Sequence, residues 1–229
     1  MKNIVLNGLL ILAIIFWAGC GSADSRIGDD NGAALDENLI AYYPLSEGSG
    51  VTLVDHSGNG LNGTISGASW VTGETNSALS FDGVDDSAVV LVTDLLNSVN
   101  AITVTAWVKI ESTANLRYFI TVSNNDWALF QDVSNDIGLA ISLPATASAS
   151  ATITTGNWVF IAGTFDGTDI KFYVNGVLED TTNHPGTLPA GNDLQLGAFG
   201  TDYWAGSLDE IRIYNRVLSA SEINDVMTQ

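Results

Sequence analysis

The chain has 229 residues, with 26 acids against seven lysines and arginines and a single cysteine. A formal charge of −19 sets it against nucleic acid and anionic membrane surfaces. A lone cysteine leaves an exported fold without an internal disulfide, and the acidic excess suits divalent cations, neutral ligands or plain solubility.

The amino end reads as a secretion signal. Lys2 supplies the positive start, Leu9 to Ala18 is unbroken apolar sequence, and Ala18-Gly19 are the small residues of a cleavage site. That run is shorter than the roughly 20 apolar residues that span a bilayer. Small residues directly before Cys20 predict that residues 1–19 are removed and that Cys20 receives lipid, several chains being needed for a stable anchor. Trp17 stands where a lipobox has leucine, and the alternative is an ordinary signal peptide cut nearby. Gly21 is not the aspartate that retains some lipoproteins at the inner membrane, so the expected location is the outer membrane or cell surface. Cleavage takes Lys2 and no acid, leaving 26 acids against six bases. Residues 20–38 carry Gly, Ala, Ser and Asp without periodicity, a flexible acidic tether.

From Leu39 to the end, one domain is expected, long enough to bury a core unaided. Apolar runs fall at Leu39–Pro44, Val51–Val54, Ala78–Phe81 and Ala88–Val92. The segment Ala101 to Ile110 alternates: Ile102, Val104, Ala106, Val108 and Ile110 share one face, and Thr103, Thr105, Trp107 and Lys109 the other. Further runs are Tyr118–Val122, Trp127–Phe130, Ile137–Ile141, Trp158–Phe165, Ile170–Val174 and Leu194–Leu196. Asp166-Gly167-Thr168-Asp169 and Asn175-Gly176 are hairpin turns, the latter of type I′. One helix is expected from Ala220 to about Met227. Ser219 and Glu222 form a capping box, and Leu218 and Ile223 occupy the staple positions. Many short strands with glycine turns and one helix predict an all-β sandwich or jelly roll.

Six motifs in register resemble one family. They are Asp55-His56-Ser57-Gly58-Asn59-Gly60, Ala78 to Asp86 with its Phe81-Asp82-Gly83 turn, the tryptophan strand Thr103 to Val108, Trp158 to Gly167, Tyr173-Val174-Asn175-Gly176, and Gly206 to Glu222. Over about residues 39–227 the chain resembles the laminin-G-like branch of the concanavalin A-like lectins and glucanases. The resemblance implies an antiparallel jelly roll of two curved sheets, often calcium-bound, serving as a carbohydrate-binding or adhesion module. Such a fold also hosts hydrolases and structural modules, so function rests on the site.

Hydrolysis of the glucanase type needs carboxylates gathered on one strand face. The seven glutamates, Glu37, Glu47, Glu74, Glu111, Glu179, Glu210 and Glu222, are scattered, and Asp209-Glu210 are adjacent rather than alternating. His56 and His184 lie in loop sequence without zinc spacing or a nucleophile elbow. The chain therefore reads as a non-enzyme. By resemblance, Asp209 leads as a ligand for structural Ca2+, with Asp55 and Asn59 supplying further oxygens. The ordinary alternatives are that Asp209 caps a turn, Asp55 forms an Asx-turn and Asn59 sits in a left-handed conformation.

Sugar recognition wants a flat aromatic with amides or acids nearby. Trp70, Trp107, Trp158 and Trp204 match family packing positions, whereas Trp127 follows the polar apex Asn124-Asn125-Asp126. Trp127 and Asn125, with Tyr203, Asn183 and His184 at a shared rim, form the candidate ligand site. The opposing expectation is that Trp127 starts a strand and packs inward. The partner is then a glycan or glycosylated surface, with the membrane touched only through the lipid. The alternatives are a structural or protein-adhesion module without a sugar site, or an accessory subunit of a polysaccharide-utilisation complex.

Overall fold

The computed structural model describes residues 35–91, 100–111, 116–122, 127–142, 147–188 and 193–229. The leader, Cys20, the tether up to residue 34, and Asn125 lie outside them. In chain order the strands are β1 (Leu39–Tyr43), β2 (Thr52–Leu53), β3 (Gly63–Ser66), β4 (Ser69–Thr72), β5 (Ser77–Asp82) and β6 (Ser87–Leu91). There follow β7 (Ile102–Ile110), β8 (Arg117–Val122), β9 (Trp127–Gln131), β10 (Asp136–Ile141), β11 (Ala147–Thr152) and β12 (Val159–Phe165). The last are β13 (Asp169–Val174), β14 (Val177–Asn183), β15 (Asp193–Leu196), β16 (Ala198–Phe199), β17 (Asp202–Tyr203) and β18 (Ala205–Tyr214), before helix α1 (Ala220–Met227).

Two eight-stranded antiparallel sheets face each other. Sheet A runs β14-β13-β12-β7-β18-β5-β4, with β1 also on β18. Sheet B runs β11-β10-β9-β8-β15-β6-β3-β2, and β16-β17 is a separate hairpin. Neighbours distant in sequence, such as β7 and β18 or β15 and β6, give the crossovers of a jelly roll.

Alternation builds the core between the sheets. Ile102, Val104, Ala106, Val108 and Ile110 of β7 are fully buried there, on the face their spacing predicts. Trp204 is also fully buried, 4.9 Å from Phe119 and 6.2 Å from Phe81 between ring centroids. Its indole N–H donates to Gln131 Oε1 at 2.7 Å, so the one polar group of the ring has a partner in the core.

The second face of sheet A is not left to solvent. Phe160, Ala162, Tyr173 and Tyr214 pack there against Leu218, Ile223 and Val226 from the α1 region. The helix begins as its capping box predicts: Ser219 Oγ accepts from Glu222 N, and Glu222 Oε2 accepts from Ser219 N at 2.7 Å. Leu218 and Ile223, the staple pair, are both buried. Thr103 ties α1's approach to the sheet, donating from Oγ1 to Arg216 O and accepting from Leu218 N. Leu35 is buried in the same small core, so the packing begins four residues before Leu39, the expected start of the domain. One apolar residue amid Gly, Ala and Asp carries no period, and only the contact with this core reveals its role.

Side-chain bonds close the sandwich along both edges. Asp180 Oδ2 accepts from Ser150 N at 3.1 Å and Thr182 Oγ1 donates to Ser148 O at 2.9 Å, joining β14 to β11. Opposite, Trp70 Nε1 donates to Gly50 O at 2.9 Å. These bonds spend the edge groups that would otherwise recruit foreign strands. Asn175 and Gly176 have φ of 48° and 78°, as a type I′ turn requires.

Candidate functional site

Asp209 lies in the outward row of β18, where the register with β7 slips between Asp209 and Arg212. It is fully buried. Its Oδ2 accepts from Thr75 N at 2.9 Å and its Oδ1 from Glu210 N at 2.9 Å. The β4–β5 turn wraps it so closely that a Cβ on Gly73 would stand 2.5 Å from Oδ2. Burial raises its pKa from 3.8 to about 7, against the N–H bonds of Thr75, Glu210 and Glu74, with the charge of Glu210 adding to the rise.

Asp55 organises the loop after β2. Its Oδ1 accepts from Tyr42 N and Ser57 N, and its Oδ2 from Ser57 Oγ and Leu61 N, at 2.9–3.1 Å. The bond to Ser57 N is the Asx-turn named as its alternative. Burial pushes the carboxyl up, but these four donors outweigh it and hold it below 3.8. Asn59 has a negative φ and donates through Nδ2 to Leu39 O and Ile40 O at 2.9 Å each.

Of the calcium set expected from Asp209, Asp55 and Asn59, Asp55 does not suit a cation: two donors point at each of its oxygens and take the lone pairs that calcium requires. Asp209 accepts one N–H bond at each oxygen, from Thr75 and Glu210, and Asn59 spends its Nδ2 as a donor, so each is tied to its own neighbours. Among the described residues, Asp82, Asp85 and Asp86 do approach, with ligand atoms within 4.8 Å of one another, yet Asp86 Oδ2 accepts from Asp82 N and Asp82 Oδ1 from Val84 N within that turn.

Trp127 does not offer a stacking face. It is 2 % exposed and belongs to the core with Leu129, so the expected platform is corrected to the inward alternative. Alternation decides this, because Trp127 and Leu129 share the face that meets sheet A, and Ala128 and Phe130 share the other. His184 is also buried. It sits at the β12–β13 turn, with its backbone N–H on Thr168 O at 2.7 Å and its ring 6.3 Å from Phe165. Asn183 beside it is exposed and bonds Asp169 and Thr168, so neither joins Trp127 at a rim.

Tyr203 keeps an exposed flank and leads to a different site. Arg117 Nε donates to Tyr203 O at 3.1 Å, its Nη1 donates to Leu116 O at 3.0 Å, and Asp202 Oδ1 lies 4.0 Å away. This clamp fixes the β16–β17 hairpin against the start of β8. There the outer face of sheet B forms a groove of about 150 Å³ lined by Leu116, Tyr118, Phe130, Ala140 and Ser148. Tyr118 faces Phe130 across β8–β9, and Ala140 faces Ser148 across β10–β11. Half-buried Tyr118 packs edge-on to Phe199, centroids 5.6 Å apart and rings at 77°. Small Ala140 and Gly138 keep the floor open beside the rings. The groove thus offers aromatic surface with a phenol and a serine hydroxyl. Sequence reasoning placed Tyr118 and Phe130 in strands but missed their face. For Phe130 the signal was its odd-even relation to core Leu129; Tyr118 shares parity with core Ile120 and reads as inward, and the register shift between Tyr118 and Ile120 turns it out.

Among curated proteins, none matches the chain. Solved structures of the same shape include domain 4 of AbnA, a GH43 extracellular arabinanase from Geobacillus stearothermophilus, in complex with arabinotriose. It is 22 % identical at a TM-score of 0.70, over 82 % of this chain and 98 % of that one. The binding domain of Paraclostridial mosquitocidal protein 1 matches at 17 % identity and TM-score 0.71, over 84 % of this chain. The botulinum neurotoxin serotype D ligand-binding domain, in complex with N-acetylneuraminic acid, matches at 19 % and 0.72, over 86 %. This chain spans 52 % of each of the two toxin chains. The profile of the concanavalin A-like lectin/glucanase superfamily matches residues 81–224, from the Phe81-Asp82-Gly83 turn into α1. The chain belongs to the concanavalin A-like lectin/glucanase superfamily.

Proposed function

We propose that this domain is a non-catalytic carbohydrate-binding module, held at a membrane surface by lipid on Cys20, that takes polysaccharide or glycoconjugate into the groove of sheet B. The observation that carries the reading is the aromatic floor and wall of that groove. Half-buried Tyr118, braced by Phe199, presents ring surface to the C–H face of a sugar beside the mostly buried ring of Phe130, while Ser148 and the Tyr118 hydroxyl meet its hydroxyls. A neutral ligand suits a chain of charge −19, which would repel anions at long range. Arabinotriose, a neutral sugar bound by one protein of this fold, makes the first probe, and N-acetylneuraminic acid, bound by another, is the anionic comparison. Catalysis is not part of the reading, since Asp209 is sealed from solvent and its neighbour Glu210 is bound up with Arg212.

The second reading, a structural or adhesion module, is favoured by the burial of Trp127 and Trp204. A glycan array on the purified chain and on Tyr118→Ala separates the two. The glycan reading expects array signal that Tyr118→Ala weakens at least about fivefold, the 1 kcal/mol scale of an aromatic contact. Absence of signal across diverse polysaccharides, or signal indifferent to Tyr118, supports the second.

A further inference from the structure

Glu210 is a non-glycine residue at φ 51° inside the central strand of sheet A. Left-handed backbone in a non-glycine residue is costly and persists only where its surroundings impose it. The bulge between Asp209 and Arg212 imposes it here, and re-aims Glu210 out of the β18 ladder. The carboxylate is then fixed from two sides. Arg212 Nη2 lies 3.0 Å from Oε2, and Tyr42 Oη donates to the same Oε2 at 2.8 Å. The guanidinium also lies over the Tyr42 ring, 4.0 Å from its centroid. Glu210 is 9 % exposed and Arg212 5 %, an ion pair drawn almost wholly out of water.

This pair forms part of the wall of a cleft of about 190 Å³ on the outer face of sheet A, away from the groove of sheet B. Half-buried Trp107 gives it an indole surface, Glu74 and Thr75 of the β4–β5 turn form one side, and the end of α1 closes the other. We propose that this cleft is a second binding site, for a single neutral sugar ring. Its volume is below the roughly 300–1,000 Å³ of drug-sized pockets. Glu210 and Arg212 neutralise each other and exposed Glu74 adds negative charge, which disfavours an anion; the pair sets a donor beside an acceptor, which suits vicinal hydroxyls better than a cation that only accepts contacts from oxygens. What remains is a hydroxylated ring, with its C–H face on Trp107 and vicinal hydroxyls shared between Glu210 Oε1 and the Arg212 guanidinium. Both bonds made to Glu210 fall on Oε2, so Oε1 is the acceptor left for the ligand. The geometry is fixed before binding, so little ordering is paid on association.

The inference does not depend on the sheet B groove, and the test separates them. The purified chain is titrated with arabinose, galactose, glucose, mannose and, as the cationic control, choline, following the indole N–H signals by two-dimensional NMR. At least one sugar is expected to shift the Trp107 signal saturably. Thr75→Tyr, an exposed position where only the backbone N–H serves Asp209, fills the cleft and is expected to weaken that response at least tenfold. Glu210→Gln is expected to do the same, with near-ultraviolet circular dichroism confirming its fold. Tyr118→Ala is expected to leave the response intact. No sugar response at Trp107, a response to choline alone, or a response that survives Thr75→Tyr overturns the site. A response lost only with Tyr118→Ala assigns the ligand to the groove and also overturns it.

Discussion

Raising the pH from 5 to 8 is expected to destabilise the domain chiefly through buried Asp209, with Asp86, whose carboxyl burial also pushes up, acting in the same direction. Asp209 has a folded pKa of about 7 against 3.8 for the ordinary carboxyl. Folding therefore favours its protonated form. The stabilising contribution is complete below 3.8 and is lost as the pH climbs through about 7. Linkage between those two values gives a loss of about 2–3 kcal/mol between pH 5 and 8. Asp55, Asp166 and Glu222 are shifted the other way, below their ordinary values. Their contribution is present above those values and is lost only in acid, so they do not flatten this window. Urea unfolding at pH 5, 6, 7 and 8 measures the slope, and Asp209→Asn, which cannot titrate, should remove most of it while costing about 1–3 kcal/mol in a lost backbone bond. Stability that is level or rising from pH 5 to 8, or a slope that persists undiminished in Asp209→Asn, refutes the reasoning.

Trp127→Ala is expected to cost about 3–5 kcal/mol of stability as a core truncation, while glycan affinity of the folded fraction stays within twofold of the parent; a selective loss of affinity would restore Trp127 to the ligand surface. Adding EDTA should move the melting temperature by less than a degree or so, because Asp55, the second ligand expected, has two N–H or O–H donors on each oxygen; a calcium-dependent rise, read by differential scanning calorimetry, would contradict that. Ser219→Ala removes the acceptor for Glu222 N and is expected to cost about 0.5–2 kcal/mol by urea midpoint.

The interior strands were legible because burial writes a period into the sequence. β7 declares both its faces through Ile102 to Ile110, and the Ser219–Glu222 box marks the helix start to the residue. Edge strands β11 and β14 were not seen. Ala147 to Thr152 alternates Ala with Ser or Thr, and Val177 to Asn183 is largely exposed, so neither carries an apolar run. Their pairing rests on backbone bonds and on Asp180 and Thr182, which have no local pattern.

The amino-acid order by itself determined the family, the two-layer architecture and the turns at Asp166 and Asn175, since each depends on spacing within a few residues. The tertiary structure decided which aromatic rings face outward and what the acids do. Trp127 went inward and Tyr118 outward because the sheets' pairing chose the face. Asp209 became a buried clip because a distant turn, at Glu74 and Thr75, brought its N–H groups to it. A carboxylate's role is set by the donors that surround it, and those donors come from strands far apart in the chain.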